Sequence, residues 1–122
     1  MKTTRTIIVD DNQCFRQILR RVLRRYPSIE VISEAGSGEL TMDQVRRLAP
    51  DLVTVDINLP GMDGFELARH LRKTYPATGI IFITLNGNPA FRREAGRMGC
   101  PYVTKMALLE DLSQVMEEFG PG

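Results

Sequence analysis

Five short, mostly apolar runs alternate with stretches of helical periodicity along the chain. The runs lie at 6–9, 29–35, 52–55, 79–84 and 101–104. Runs of this length suit strands of a buried sheet and are too short for helices. Strands that alternate with helices pair in parallel, because each right-handed crossover returns its helix onto the sheet. The alternation therefore predicts an α/β fold with a parallel sheet.

The number and spacing of the strands narrow this fold class further. We predict a flavodoxin-like, doubly wound (βα)5 fold, with strand order 2-1-3-4-5 and helices on both faces of the sheet. In that order the chain changes direction across the sheet between strands one and three. Ligands of open α/β sheets bind outside the carboxyl ends of the strands at such a point.

The helices show start signals and apolar stripes. Asn12, Asp63 and Asn88 are expected to cap the first, third and fourth helices. The first two stripes are Phe15, Ile18, Leu19, Val22 and Leu23, then Leu40, Met42, Val45 and Leu48. The fourth helix has a thin stripe interrupted by Gly96, which predicts mobility there. The clearest amphipathic pattern runs over 108–119 and predicts a fifth helix.

Length and charge limit the classes of function. The 122 residues fit a single domain, 1–122, and we expect no output domain within them. Sixteen Lys and Arg against 15 Asp and Glu give a net charge of +1, so we expect no direct binding of nucleic acid. We find no apolar run of membrane-spanning length, and we expect a cytoplasmic protein that does not bind membranes. Two Cys and one His suggest neither a disulfide framework nor a zinc site.

Acidic residues follow the first and third strands. Asp10 and Asp11 end the first, Asp56 ends the third, and the predicted strand order brings all three together. Two unit charges about 4 Å apart repel by roughly 4 kcal/mol at an effective dielectric of 20, so such a cluster takes up protons or a cation. Oxygen ligands favour Mg²⁺ over zinc. Thr84 and Lys105 end later strands and should reach the same edge, a set that suits phosphoryl transfer.

Four motifs in order give the chain a family resemblance. They are VDDN after the first strand, VDINLPGMDG at the third, Thr84 at the end of the fourth and PYVTK at the fifth. With this spacing the chain resembles, over essentially its whole length, the receiver domain of bacterial two-component response regulators, which are CheY-like proteins. The stretch DDNQCFRQIL further resembles receivers that precede a LuxR-type output domain, which is a weaker signal.

The resemblance implies a role for each residue of the acidic cluster. Asp56 would accept a phosphoryl group in a phosphorelay, from the phosphohistidine of a sensor histidine kinase or a phosphotransfer protein. Asp11, Asp56 and the backbone carbonyl of Asn58 would hold Mg²⁺, with Asp10 assisting through water. Lys105 would contact the phosphoryl group. The chain would then be a phosphoacceptor signalling module that assists its own phosphorylation and autodephosphorylation, not an enzyme.

The resemblance also implies a switch. Thr84 would swing toward the phosphoryl group, and Tyr102 matches the aromatic switch position of the family. The surface formed by the fourth helix, fifth strand and fifth helix would then control an output domain or a downstream protein. Self-association into a homodimer is left open.

Two residues depart from the family pattern. Met106 follows Lys105 where the family usually has proline, and we expect a trans bond there, which aims Lys105 a little differently. Leu85 follows Thr84 where small residues are usual, so its side chain could restrict access to the pocket. With Asn58 and Asn86 flanking the site, this predicts slow autodephosphorylation.

Other interpretations of the same residues remain open. A haloacid-dehalogenase-like phosphohydrolase also uses Asp after a strand, but it needs a second acid where Asn58 stands. A flavodoxin-type cofactor binder needs a phosphate-cradling first loop, which Asp10 and Asp11 would repel. More simply, the acidic pair after the first strand could only cap a helix, Tyr102 could be an ordinary strand residue, and the arginines of the first helix could form a solvated face.

Overall fold

Alternating strands and helices make up the described part of the chain. The computed structural model describes residues 2–108. The elements are β1 Thr4–Val9, α1 Gln13–Leu23, β2 Ile29–Ala35, α2 Gly38–Leu48, β3 Leu52–Val55, α3 Gly64–Thr74, β4 Gly79–Thr84, α4 Pro89–Arg97, β5 Tyr102–Thr104 and a 3₁₀ turn at Lys105–Ala107. The predicted fifth helix, beyond its first residue Leu108, lies outside the described residues.

The five strands form one parallel sheet in the order β2-β1-β3-β4-β5, which confirms the predicted topology. The register pairs Val9 of β1 with Val55 of β3, so the residues that follow these two strands begin at the same level. At the other side Thr84 of β4 pairs with Thr104 of β5. The carboxyl ends of four strands therefore form one edge, which we call the rim.

Helices cover both faces of the sheet, as predicted. One apolar cluster packs α2, α3 and α4 against Val53 and Val55 of β3, and includes Phe65 and Phe82 with ring centroids 5.0 Å apart. The other cluster packs Leu19 and other α1 side chains against the opposite face. No helix among residues 2–108 is long and apolar enough to cross a membrane.

The predicted helix caps are confirmed. Asn12 accepts a hydrogen bond from the N–H of Phe15, and Asp63 accepts one from Glu66. Asn88 accepts from Ala90, with Pro89 as the first residue of α4. Each cap satisfies an amide that the helix itself leaves without a partner.

The assignment of two residues to the apolar stripes is wrong, because their side chains are exposed. Ile18 is 51% exposed and Leu40 is 54% exposed, whereas Leu19 and Thr41, their next neighbours, are buried. One residue corresponds to about 100° around a helix, so each exposed side chain lies well to one side of its buried neighbour. Two strand boundaries also differ: β1 begins two residues earlier than predicted, and β5 begins at Tyr102 instead of Pro101.

Candidate functional site

Three carboxylates meet at the rim, as the sequence predicted. One carboxylate oxygen from each of Asp10, Asp11 and Asp56 lies within 4.8 Å of the others. Asp10 and Asp56 are buried and Asp11 is exposed. The register of β1 and β3 causes this arrangement, because Asp10 and Asp56 directly follow the paired residues at the ends of these strands.

The backbone around the two buried carboxylates is fixed by hydrogen bonds. The N–H of Asp10 donates to the carbonyl of Ala35 at 3.0 Å, and the N–H of Asp56 donates to Val9 at 3.0 Å. Each carboxylate also accepts from the amide two residues ahead. Asn12 N lies 2.8 Å from Asp10 Oδ1, and Asn58 N lies 3.2 Å from Asp56 Oδ1. One oxygen of each group is thus held, and Oδ2 remains for other partners.

Lys105 places its ammonium between these remaining oxygens. Its Nζ lies 2.7 Å from Asp10 Oδ2 and 3.3 Å from Asp56 Oδ2. The same nitrogen lies 4.1 Å from the ring centroid of Phe15. Burial alone would lower the pKa of Lys105, but the hydrogen bond to Asp10 and the charges of Asp56 and Asp10 outweigh burial and raise it. Lys105 is therefore a protonated cation at neutral pH.

The environment of Asp10 opposes its ionisation. Burial raises the pKa of Asp10, and the charge of Asp56 acts in the same direction. Hydrogen bonds from Lys105 and the Asn12 amide offset part of this rise. A second cation at the rim would favour the ionised carboxylate.

The rim suits a hard divalent cation. Three carboxylates and one ammonium leave two uncompensated negative charges when all are ionised, and all the candidate ligands are oxygens. Asp10 Oδ2 is buried and forms its ion pair with the Lys105 ammonium at 2.7 Å. The residues present therefore fit Mg²⁺, and Asn58 lies exposed in the loop beside them.

The two predicted switch residues meet at a third residue. The hydroxyl of buried Thr84 accepts a hydrogen bond from the N–H of Asn86 at 3.3 Å. The hydroxyl of Tyr102 donates to the carbonyl of the same Asn86. Arg92 of α4 lies over the Tyr102 ring, 4.8 Å from its centroid. Burial raises the pKa of Tyr102, the charge of Arg92 opposes the rise and that of Asp56 adds to it.

Leu85 and Met106 lie at the outer margin of the site. Leu85 is 65% exposed and Met106 is 88% exposed. Both line a cavity of about 370 Å³ that also reaches Asn12, Phe15 and Lys105. The Lys105–Met106 peptide bond is trans, as expected, since residues 2–108 contain no cis bond.

A charged group beside the acidic cluster is not predicted by the sequence pattern. The sequence pattern favours a solvated face for the arginines of α1, but Arg16 and Arg20 both form ion pairs with Glu34 of β2. Arg16 also donates to the backbone carbonyl of Asp10. A carboxylate within a strand opposite an arginine-rich helix is the sequence signal that could have indicated this pairing.

Comparison with known proteins agrees with the geometry. Residues 6–117 match the family model described as the response regulator receiver domain. A protein-glutamate methylesterase/protein-glutamine glutaminase of Desulfotalea psychrophila is 33% identical, over 98% of this chain and 36% of its own length. The response regulator GacA of Pseudomonas viridiflava is 31% identical, over 92% of this chain and 53% of its own length. The chain thus spans between about a third and about half of these relatives.

Solved structures give the same result. A LuxR-family two-component response regulator from Aurantimonas sp. SI85-9A1 is 34% identical with a TM-score of 0.88, covering 97% of this chain and 85% of that one. The receiver domain of the putative response regulator NarL of Mycobacterium tuberculosis has a TM-score of 0.87 at 24% identity, covering 98% of this chain and 97% of that one. At this identity, the similarity to the second structure is one of fold alone.

Proposed function

The chain belongs to the response regulator receiver domain family of two-component signalling, and from that premise we propose that Asp56 accepts a phosphoryl group from a phosphohistidine of a sensor histidine kinase or a phosphotransfer protein. The observation that carries the proposal is the convergence of three carboxylates and Lys105 at one edge of the sheet. This set combines a nucleophile, cation ligands and a fixed positive charge.

The transfer is a displacement at phosphorus. A carboxylate oxygen of Asp56 forms a bond to phosphorus, and the bond from phosphorus to the imidazole nitrogen of the donor breaks. The electron pair of the broken bond stays on the imidazole. Most of the catalysis in such a reaction is positioning and charge stabilisation, because the protein does little covalent chemistry itself.

Asp11, Asp56 and the backbone carbonyl of Asn58 are the proposed holders of Mg²⁺, with Asp10 assisting through water. The chemistry that bound Mg²⁺ supplies is neutralisation of charge on the phosphoryl oxygens. Lys105 has a matching role, since its Nζ already lies 3.3 Å from Asp56 Oδ2 and would contact the phosphoryl group there. The protein residues hold the reacting oxygen in place before the donor arrives.

The proposed switch begins at Thr84. A carboxylate that becomes an acyl phosphate gains roughly one negative charge, and a hydroxyl donor can move to meet it. In the unphosphorylated structure the Thr84 hydroxyl accepts from Asn86, whose carbonyl accepts from Tyr102. Movement of Thr84 toward Asp56 would therefore release the loop at Asn86 and with it Tyr102.

The partners follow from this switch. A change in the surface of α4, β5 and the predicted fifth helix would control an output domain or a downstream protein in the cytoplasm. Homodimer formation is a further proposed consequence. A shift of the active-to-inactive ratio from 1:99 to 99:1 needs about 5.5 kcal/mol of differential stabilisation. One added charge that is only partly coupled to the switch would shift the ratio less.

The test is the intact mass of the protein after incubation with acetyl phosphate and Mg²⁺. We expect one added phosphoryl mass, and none in an Asp56→Asn variant or when Mg²⁺ is chelated. Because Asp11→Asn keeps the size of the side chain, it should reduce the adduct by weakening cation binding. An adduct of equal yield in the Asp56→Asn variant would overturn the proposal.

A further inference from the structure

A partly buried ion-pair group lies beside the acidic cluster. Arg16 Nε lies 2.9 Å from Glu34 Oε1, and Arg20 donates to Glu34 Oε2 from Nε at 2.8 Å and from Nη2 at 2.6 Å. Burial would raise the pKa of Glu34, but the hydrogen bonds from Arg20 and Arg16 outweigh burial and lower it. Glu34 is thus a fixed anion that holds two arginines in defined positions.

Arg16 differs from Arg20 by a second contact. Its Nη1 donates to the backbone carbonyl of Asp10, while Nε holds Glu34. The guanidinium therefore bridges β2 and the turn between β1 and α1. A planar guanidinium offers donors in a rigid fork, so fixing one edge on Glu34 fixes the direction of the other donors.

This second contact acts on the peptide group that leads to Asp11. The Asp10 carbonyl belongs to the peptide that joins Asp10 to Asp11, and the Asp10 N–H is already held by Ala35. Asp11 is exposed, and its carboxylate has no hydrogen bond or ion pair with another of residues 2–108. The orientation of the peptide before it is therefore a main determinant of where its carboxylate points.

We infer that Arg16, oriented by Glu34, is a positioning residue for the cation site: its hydrogen bond to the Asp10 carbonyl aims the Asp11 carboxylate at a divalent cation at the rim. The inference rests on the proposed function, because it assumes that the rim binds Mg²⁺. It assigns to Arg16 a role that acts through the backbone, since its side chain contacts the Asp10 carbonyl and not a carboxylate of the cluster.

Charge and positioning predict opposite signs for the loss of Arg16. Removal of a positive charge near an anionic site strengthens cation binding by simple electrostatics. Loss of the hydrogen bond to the Asp10 carbonyl weakens binding instead, because residues that orient metal ligands typically contribute ten- to 100-fold to affinity. The direction of the change in Mg²⁺ affinity therefore separates the two effects.

The experiment is isothermal titration of Mg²⁺ into the full chain and three variants, at a temperature where circular dichroism shows each to be folded. We expect Arg16→Ala to raise the Kd for Mg²⁺ about tenfold. Arg20→Ala is the matched control, because it also removes an ion pair with Glu34 but does not contact Asp10. It should change Kd less than twofold.

Arg16→Lys tests the geometry without changing the charge. Lysine has a single side-chain nitrogen, so it cannot contact Glu34 and the Asp10 carbonyl through separate donors as a planar guanidinium does. We therefore expect a raised Kd for Mg²⁺ in this variant as well. It also replaces Arg16→Ala if the latter does not fold. An unchanged or lowered Kd in the Arg16 variants, or an equal loss in Arg20→Ala, would overturn the inference. A wild-type chain that does not bind Mg²⁺ would overturn the cation part of the proposed function as well.

Discussion

The carboxyl ends of β1 and β4 lie on the same rim but are held very differently. At the end of β1, the backbone N–H, the side chain and the carbonyl of Asp10 are each engaged, by Ala35, Asn12 and Arg16. At the end of β4, the Thr84 side chain has a single hydrogen bond among residues 2–108, of 3.3 Å, and the next residue, Leu85, is largely exposed. The first end is suited to hold a cation in fixed geometry, and the second is suited to move.

The segments that follow β3 and β4 show a similar difference in packing. A Cβ added at Gly64, which ends the loop after β3, would lie 2.4 Å from the Asp56 carbonyl oxygen. A Cβ added at Gly87 in the loop after β4, or at Gly96 in α4, would meet nothing within 4 Å. The backbone after β4 therefore has room for an added side chain, whereas the backbone beside Asp56 has none.

Gly64→Ala should cause the largest loss of stability. The new Cβ would also lie 2.6 Å from Ile57 Cα, so the backbone that carries Asp56 must shift. We expect the free energy of unfolding, measured by urea denaturation, to fall by about 3 kcal/mol. Gly96→Ala is the control in α4, where the added methyl group should raise stability by about 0.5 to 1 kcal/mol. Equal effects of the two substitutions would remove the contrast.

Lys105→Met should destabilise the rim by about 2 kcal/mol, because it leaves two buried carboxylates without their shared cation. Methionine keeps most of the apolar stem near Phe15. We expect the loss to shrink in saturating Mg²⁺, which would supply positive charge to the same oxygens. Urea denaturation with and without Mg²⁺ measures this. Lys73→Met, at an exposed position of α3, is the control. A loss that is insensitive to Mg²⁺ would contradict a shared site.

Glu34→Gln should lower stability by about 1 kcal/mol at pH 7, with a defined pH dependence. The folded state lowers the pKa of Glu34 below its ordinary 4.5, so its contribution is fully present above about pH 4.5. The contribution is lost as the pH falls through the folded-state pKa. The difference between wild type and Glu34→Gln in urea denaturation should therefore diminish in acid. A difference that grows as the pH falls would reverse the sign.

Asp43→Asn provides the comparison for that pH dependence. Arg46 and Arg47 lower the pKa of Asp43 through hydrogen bonds within α2, but this side chain is exposed. Exposed ion pairs contribute little, because water screens them. We expect this variant to leave the acid dependence of unfolding close to that of wild type.

Leu85→Ala should have the smallest effect, on the lifetime of the phosphorylated state. The Leu85 side chain lines the cavity that reaches Lys105, so its removal should admit water and shorten the lifetime about two- to threefold, a change of less than 1 kcal/mol in the barrier. The lifetime is measured from the decay of the phosphorylated mass. Leu40→Ala, at a similarly exposed leucine on α2, should have no effect. An unchanged or longer lifetime in Leu85→Ala would contradict steric shielding.

The acidic cluster could be predicted from the sequence because two simple rules determine it. Asp10 and Asp56 each directly follow an apolar run, and parallel strands bring such positions to one edge. Lys105 obeys the same rule. The strand order followed from the even alternation of strand and helix, which left few topologies to choose from.

The contacts of Arg16 and Asn86 could not be predicted in the same way. Both depend on the spacing between a helix or loop and a neighbouring strand, and on the conformation of a long or flexible side chain. Periodicity describes which face a residue occupies, but it does not describe what a guanidinium reaches. The exposure of Ile18 shows the same limit, since an apolar residue at the margin of a stripe can fall on either side of the buried boundary.

The most direct test of this contrast is amide hydrogen exchange in three states: without ligand, with Mg²⁺, and with Mg²⁺ plus beryllofluoride as a stable phosphoryl mimic. We predict that Mg²⁺ alone slows exchange in peptides covering 10–16, and that the mimic adds little there. The mimic should instead change exchange in peptides covering 84–92 and 102–105. If the mimic altered 10–16 most and left 84–92 unchanged, the assignment of a fixed and a moving end to the rim would be wrong.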